Sequence, residues 1–295
     1  MLLYYLALPF IYFISILPYW VLYAFSDFLY LIVFHVIGYR RKVVEENLRN
    51  SFPEKTPEEI IQISKKYYHF LCDLILETFK KFTISKKESV RRCKFHNTEI
   101  FDKIYAENKS VILLMGHYGN WELGGSSFSI SNKHQLYVIY KALSNEHFEN
   151  LICKTRTKYG TKLIKMENTL RDIINNKNNL SAYAFIADQT PSNQNAYWAN
   201  FLNQDTAMFT GAEKLAKKLN FPVVFINIAR VRRGYYEIFP EMLCEEPKSS
   251  KENEITELFV RRLEKEIIKT PETWIWSHRR WKLKRQEAVK ESIKA

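Results

Sequence analysis

Apolar residues dominate the start of the chain: Leu2 to Phe25 contains no charged side chain, and beyond Asp27 a second apolar run reaches Ile37 with only His35 interrupting it. A hydrocarbon core is crossed by about 20 apolar residues, so the first stretch is long enough to span a bilayer. Pro9 and Pro18 predict kinks, because proline removes a helix hydrogen bond and crowds the preceding turn. Two arrangements stay open: one tilted transmembrane helix, or broken helices lying in the interface. The positive start and small-residue cleavage site of a signal peptide are both missing, so the segment is expected to persist. Tyr4, Tyr5, Tyr12, Tyr19, Trp20, Tyr23 and Tyr30 suit the boundary between lipid and water; a core hairpin of a soluble domain is the alternative. Arg40, Arg41 and Lys42 follow where they can meet anionic lipid phosphates, which predicts a cytoplasmic globular part.

Beyond this segment the pattern turns amphipathic and then alternates. Thr56-Pro57-Glu58-Glu59 combines an N-cap, a proline at the first helical position and acids in the first turn, predicting a helix from Thr56 to about Phe82. Short continuous apolar runs at 111–115, 136–140, 181–187 and 223–229 read as strands buried on both faces, with 235–239 as a further strand. Helices are expected near 145–159, 168–176, 207–219 and 254–269, the last two stopped by Asn220 with Pro222 and by Pro271. Strands alternating with helices predict an α/β fold, a largely parallel mixed sheet flanked by helices, preceded by the hydrophobic membrane-anchoring helical segment. The domain reading is therefore residues 1–39 as anchor and 40–295 as one globular domain.

Composition refines this picture only slightly. With 46% apolar residues in 295 the chain can bury a sizeable core. Lys and Arg outnumber Asp and Glu by 44 to 32, a formal charge of +12, which favours polyanions, anionic head groups or acidic carrier proteins as partners without choosing among them. Cys72, Cys93, Cys153 and Cys244 are scattered, without metal-ligand or redox spacing, and read as reduced thiols of a cytoplasmic compartment.

The candidate chemistry lies in Gly116-His117-Tyr118-Gly119-Asn120-Trp121-Glu122, which puts a histidine at the end of a buried strand and an acid where the next helix begins, the place where α/β sheets carry their sites. On one continuous helix, residues five apart would point about 140° away from each other, so the pair makes sense with His117 in the turn and Glu122 in the first helical turn. Glu122 is then expected to accept a hydrogen bond from one imidazole nitrogen, leaving the other to remove a hydroxyl proton. A G-x-S-x-G elbow, the second histidine of a zinc motif and a Walker ending are all lacking, so neither a metal nor a cofactor is expected. Spacing alone still favours a histidine held for structural reasons.

The resemblance to a known family reverses that preference. The H-x-x-x-x-E spacing of His117 and Glu122 resembles the signature of the glycerolipid acyltransferase superfamily, and the whole 116–122 segment resembles its late lipid A biosynthesis branch. Arg40-Arg41-Lys42-Val43-Val44-Glu45-Glu46-Asn47-Leu48, Ser51-Phe52-Pro53-Glu54, Ala187-Asp188-Gln189 and the block from Pro271 to Lys282 agree with that family in order along the chain. The resemblance implies acyl transfer from an acyl carrier protein to a hydroxyl of a lipid A precursor, an anionic lipid acceptor, at the cytoplasmic face of the inner membrane, with no nucleic-acid partner. It implies His117 as general base with Glu122 as its orienting partner. Arg156 would hold a lipid phosphate, as part of an R-x-x-x-G site, with Lys141 and Asn145 leading into the same helix. Asp188 would orient a basic ligand or part of the acceptor sugar, or simply cap a turn. Thr190-Pro191 and Asn200-Phe201-Leu202 depart from the family pattern on the acceptor side. His278, Arg279 and Arg280 with Trp274, Trp276 and Trp281 read as a basic, aromatic rim meeting lipid, with plain packing as the alternative. Two other functions stay in view: an acyltransferase of the same fold with an aminolipid or glycerophospholipid acceptor, and a non-catalytic membrane-tethered binding protein.

Overall fold

The computed structural model describes residues 2–191 and 196–285. Its centre is a seven-stranded sheet of β1 (Cys93–Phe95), β2 (Val111–Met115), β3 (Gln135–Tyr140), β4 (Lys162–Lys165), β5 (Ser181–Ile186), β8 (Val223–Arg232) and β9 (Tyr235–Cys244), while β6 (Tyr197–Phe201) and β7 (Gln204–Met208) form a separate hairpin. The order across the large sheet is β1-β9-β8-β2-β5-β3-β4. Neighbours run parallel except β8 and β9, which are antiparallel. This is the largely parallel, mixed α/β sheet that the alternating pattern predicts.

Helices α1 (Leu2–Ile16), α2 (Tyr19–Tyr30), α3 (Arg41–Ser51), α4 (Pro57–Lys80), α5 (Lys86–Arg92), α6 (Glu99–Ala106), α7 (Trp121–Ser131), α8 (Glu146–Thr157), α9 (Thr169–Asn175), α10 (Gly211–Leu219) and α11 (Glu254–Lys269) surround the sheets. The helix expected from Thr56 forms with a complete capping box between Thr56 and Glu59. Asn220 ends α10 in the left-handed conformation, as an asparagine C-cap does. The helix expected over 207–219 starts later, at Gly211, because Gln204–Met208 pairs instead with Tyr197–Phe201 around a tight turn whose Leu202 and Asn203 both have positive φ.

The central strands are buried on both faces, so their alternate side chains enter different cores. Ile112 and Leu114 join Tyr67, Tyr183, Phe225 and Phe259 on one side. Val111, Leu113 and Met115 join Phe128, Ala184 and Ile226 on the other, beneath α7.

The N-terminal region breaks at Pro18 into α1 and α2, and α2 continues through a π-helical stretch, Leu31–Ile37. Tyr19–Ile37 is long and apolar enough to cross a membrane, and only 22% of its apolar window is buried. One face packs on α4 through Ile14, Leu22 and Leu76. Polar ties reinforce this seam: Ser26 donates to Asp73, and Arg233 joins Asp27 and Asp73. The other face leaves Phe10, Phe13, Trp20, Phe28, Val36 and Ile37 more than half exposed. A soluble core hairpin would have these residues inside.

Candidate active site

Strand β2 ends at Met115 and α7 begins at Trp121, and the five residues between them form the turn that carries His117. Gly119 has φ +64, and a Cβ there would lie 2.0 Å from the Ile228 carbonyl oxygen, so backbone conformation and space both demand glycine. Asn120 caps α7 by accepting from the Leu123 N–H at 2.9 Å, and its amide donates to Glu77 at 2.7 Å. Glu77 is buried and also accepts from Tyr23 and Tyr236, so the cap is tied to α2, α4 and β9 together. The C-terminal segment completes the turn: the Gly119 N–H donates to Thr273 O at 3.0 Å, and Tyr118 bridges to Trp274.

The partner of the imidazole is Asp188. His117 Nδ1 lies 2.7 Å from Asp188 Oδ1, and the His117 backbone N–H donates to Asp188 Oδ2 at 2.7 Å. Trp274 Nε1 donates to the same Oδ2 at 2.7 Å. Burial pushes the Asp188 carboxyl up, but the facing histidine and these donors outweigh it and hold the group below the usual carboxylate range. An ionised Asp188 favours the tautomer that carries its proton on Nδ1, which makes Nε2 the acceptor atom of the ring. Nε2 lies 3.3 Å from the Gln189 side-chain nitrogen, and the ring meets Trp121 edge to face at 4.9 Å.

Glu122 does not occupy the position at the imidazole expected of it. It sits in the first turn of α7 and faces the other way, into a buried ion cluster. Arg156 Nε donates to its Oε1 at 3.0 Å and Arg156 Nη2 makes a second bond to the same oxygen, while Lys81 Nζ donates to Oε2 at 2.9 Å. Burial alone would raise the Glu122 carboxyl, but the two cations and their hydrogen bonds lower it to about 2. The two side chains diverge across the turn, which Gly119 passes through with positive φ: His117 turns to Asp188 beyond the end of β5, and Glu122 to Arg156 on α8 and to Lys81 just past α4.

The other sequence-derived site residues divide. Arg156 reaches the site with its fork already engaged by Glu122, which differs from the open phosphate clamp expected of it. Asp188 is buried against the histidine, and it also secures the turn by accepting the His117 backbone N–H. Lys141 lies at the mouth of the cavity described below. Asn145 is the exposed N-cap of α8, accepting from the His147 and Phe148 N–H groups, and it stands outside the cavity lining. The supposed lipid rim is mostly interior: Trp274, Trp276, Trp281 and Arg280 are all under 9% exposed. Two further arginines, Arg230 near the far end of β8 and Arg233 just past it, pair with Asp73. Lys81 and Trp274 are participants that sequence reasoning did not assign; no periodicity separates a buried lysine just past a helix end from the solvated lysines beside it.

His117, Trp121, Glu122, Lys141, Arg156 and Gln189 surround one end of a cavity of about 360 Å³. Most of the remaining lining is apolar, lying between α7 and the sheet and including Leu113, Met115, Val138, Ala184, Ile186, Phe128 and Phe95, with Lys81, Ser126 and Thr161 as polar exceptions. A volume in the range of roughly 300–1,000 Å³ with mostly apolar walls and a few polar groups has the size and lining that small-molecule sites have, and it could take an amphiphilic or chain-bearing molecule.

Comparison with known proteins finds sequence relatives along most of the chain. The sequence model of a family described as bacterial lipid A biosynthesis acyltransferase matches residues 1–283. The chain is 22% identical over 248 residues to a lipid A biosynthesis palmitoleoyltransferase of Escherichia coli (strain K12), covering 82% of this chain and 79% of that protein. It is 24% identical over 250 residues to a lipid A biosynthesis acyltransferase of Haemophilus influenzae, covering 82% and 76% respectively.

Proposed function

Because the chain belongs to the bacterial lipid A biosynthesis acyltransferase family, we propose that it moves a fatty acyl chain from acyl carrier protein to a hydroxyl of a lipid A precursor, with His117 as general base and Asp188 as the residue that orients it. The observation that carries this reading is the imidazole itself: Nδ1 is held by a buried, ionised carboxylate, and Nε2 faces a largely apolar cavity with the exposed side-chain amide of Gln189 3.3 Å away, a neighbour that an acceptor hydroxyl would displace. In the proposed reaction the acceptor hydroxyl gives its proton to His117 Nε2 as its oxygen attacks the thioester carbonyl carbon. The tetrahedral intermediate collapses with loss of the carbon–sulfur bond, and the departing thiolate takes the proton back from the imidazolium. Asp188 stabilises that imidazolium while it exists. Glu122 acts as a positioning residue, holding Arg156 and Lys81 so that the cluster carries net positive charge beside the cavity. Lys141 and the outer side of Arg156 supply the positive field for a phosphorylated acceptor, and the overall charge of +12 suits both that acceptor and an acidic carrier.

The experiment for the acceptor is mass spectrometry of lipids from cells with and without this protein. Lipid A from the deletion strain should be lighter by one acyl chain; unchanged lipid A with a deacylated aminolipid or phospholipid would assign the other acceptor.

Residues 1–39 serve in this reading as the anchor that places the site at the cytoplasmic face of the inner membrane. Contiguous exposed apolar surface on this scale marks a membrane or protein contact, and here the exposed face includes Trp20 at 76% and Val36 at 79%. Trp20→Ser combined with Phe28→Ser and Val36→Ser is expected to weaken vesicle co-sedimentation with little change in melting temperature, since these side chains face away from α4. Undiminished vesicle binding would count against this face as the anchor. Substitution is a cleaner test than truncation, because deleting the segment also strips Leu22, Ser26 and Phe34 from the core.

A further inference from the structure

We infer that Gly125 sets the length of acyl chain the protein accepts, an inference that rests on the acyl-transfer reading above and adds a specificity-determining residue to it. Helix α7 forms one wall of the cavity, and Trp121, Gly125 and Phe128 recur along it at helical spacing. The helix runs away from His117, so Gly125 lies roughly 6 Å below Trp121 and Phe128 roughly 10 Å below it, at about 1.5 Å per residue. Phe128 packs on Phe95 with ring centroids 5.7 Å apart, and both line the cavity. A chain whose thioester sits at His117 would pass Gly125 before it meets these rings.

The two adjacent glycines of α7 differ in what surrounds them. A Cβ on Gly124 would lie 2.9 Å from Ile228 Cδ1 and 3.4 Å from Ile238 Cδ1, so that glycine exists for close packing of helix on sheet. A Cβ on Gly125 would meet nothing nearer than Leu136 Cδ2 at 4.0 Å. Gly125 also lies inside a regular helix and is absent from the positive-φ glycines, so its backbone suits any L-residue. Glycine inside a helix weakens it relative to alanine. Here neither backbone nor packing demands one, and its lack of a side chain widens the cavity.

The test compares the purified full-length protein with Gly125→Ala, Gly125→Val and Gly125→Leu on a ladder of saturated acyl carrier protein thioesters of increasing even chain length. The ratio of kcat/KM for long donors to that for short donors should fall progressively along the series, by roughly tenfold or more for leucine, the scale on which a filled apolar pocket discriminates chain length. Melting temperature should hold or rise in Gly125→Ala, whereas Gly124→Ala, which meets Ile228, should lose stability without the same shift in preference. An unchanged ratio in folded, active Gly125→Leu would overturn the inference while leaving the acyl-transfer reading intact. If leucine prevents folding, the alanine and valine variants decide by the same ratio. A wild-type protein inactive with every thioester would instead remove the reading on which the inference stands.

Discussion

Asp188→Asn is expected to lower acyl transfer by a factor of about 10²–10⁴, the range associated with loss of an effective general base. The carboxylate now accepts the backbone N–H of His117 and the indole N–H of Trp274, and its other oxygen faces the ring Nδ1. An amide of the same shape offers one accepting oxygen and one donating nitrogen in place of two acceptors. Either the ring is turned to the wrong tautomer or a buried N–H loses its partner, at about 1–3 kcal/mol. The activity loss should therefore far exceed any loss of folded protein, and steady-state kinetics alongside thermal melting separates the two. A variant with near wild-type kcat would show that the ring needs no anionic partner.

Glu122→Gln is expected to act on a different quantity. Removing the charge leaves Arg156 and Lys81 without their common counter-ion in a site where Lys81 is 3% exposed, and breaking a buried pair from one side costs roughly 3–5 kcal/mol. The pH dependence carries the same signature. The Glu122 carboxyl is lowered from 4.5 to about 2 by the two cations, which outweigh its burial. A carboxylate with a depressed folded-state value contributes stability that is complete above the unfolded value and disappears as pH falls through the folded one. For this group that window runs from 4.5 down to about 2, and the contribution is on the order of 3 kcal/mol at about 1.4 kcal/mol per unit. Urea denaturation of the wild type across this interval should show that loss, and Glu122→Gln should lack this part of it while starting from lower stability at neutral pH. Identical acid slopes in the two proteins would mean that Glu122 is not held by Lys81 and Arg156 in solution.

Much of the fold was legible because it depends on local signals. The capping box at Thr56, the left-handed cap at Asn220 and the apolar runs of β2, β5 and β8 each announce an element within a few residues. The hairpin of β6 and β7 was hidden because Tyr197 to Met208 alternates weakly and its pairing lies partly in the turn at Leu202 and Asn203. At the site, His117 stood out as a histidine at a strand end, but its partner did not. Glu122 is near His117 in sequence and far from its Nδ1 in bonding, whereas Asp188 is 71 residues away and 2.7 Å from it. The cause is strand order: β2 and β5 are parallel neighbours with Met115 opposite Ile186, and two residues further along each strand stand His117 and Asp188. Nothing in either segment alone reveals that β5 lies beside β2 while β3 and β4 lie beyond it. The tryptophans at the C-terminal end misled for a related reason. Exposed on one strand of sequence they look like a lipid-facing rim, but the segment folds back on the turn and Trp274 becomes a donor to Asp188.

The central claim is that His117 removes the proton from the acceptor hydroxyl during acyl transfer. Its most direct measurement is turnover by the purified full-length protein with acyl carrier protein thioester and a lipid A precursor, with the acylated product followed by mass spectrometry in wild type and His117→Ala. The wild type should form a product heavier by one acyl chain, and the folded variant should form it more slowly by a factor of about 10²–10⁴. Near wild-type turnover by folded His117→Ala would contradict the account.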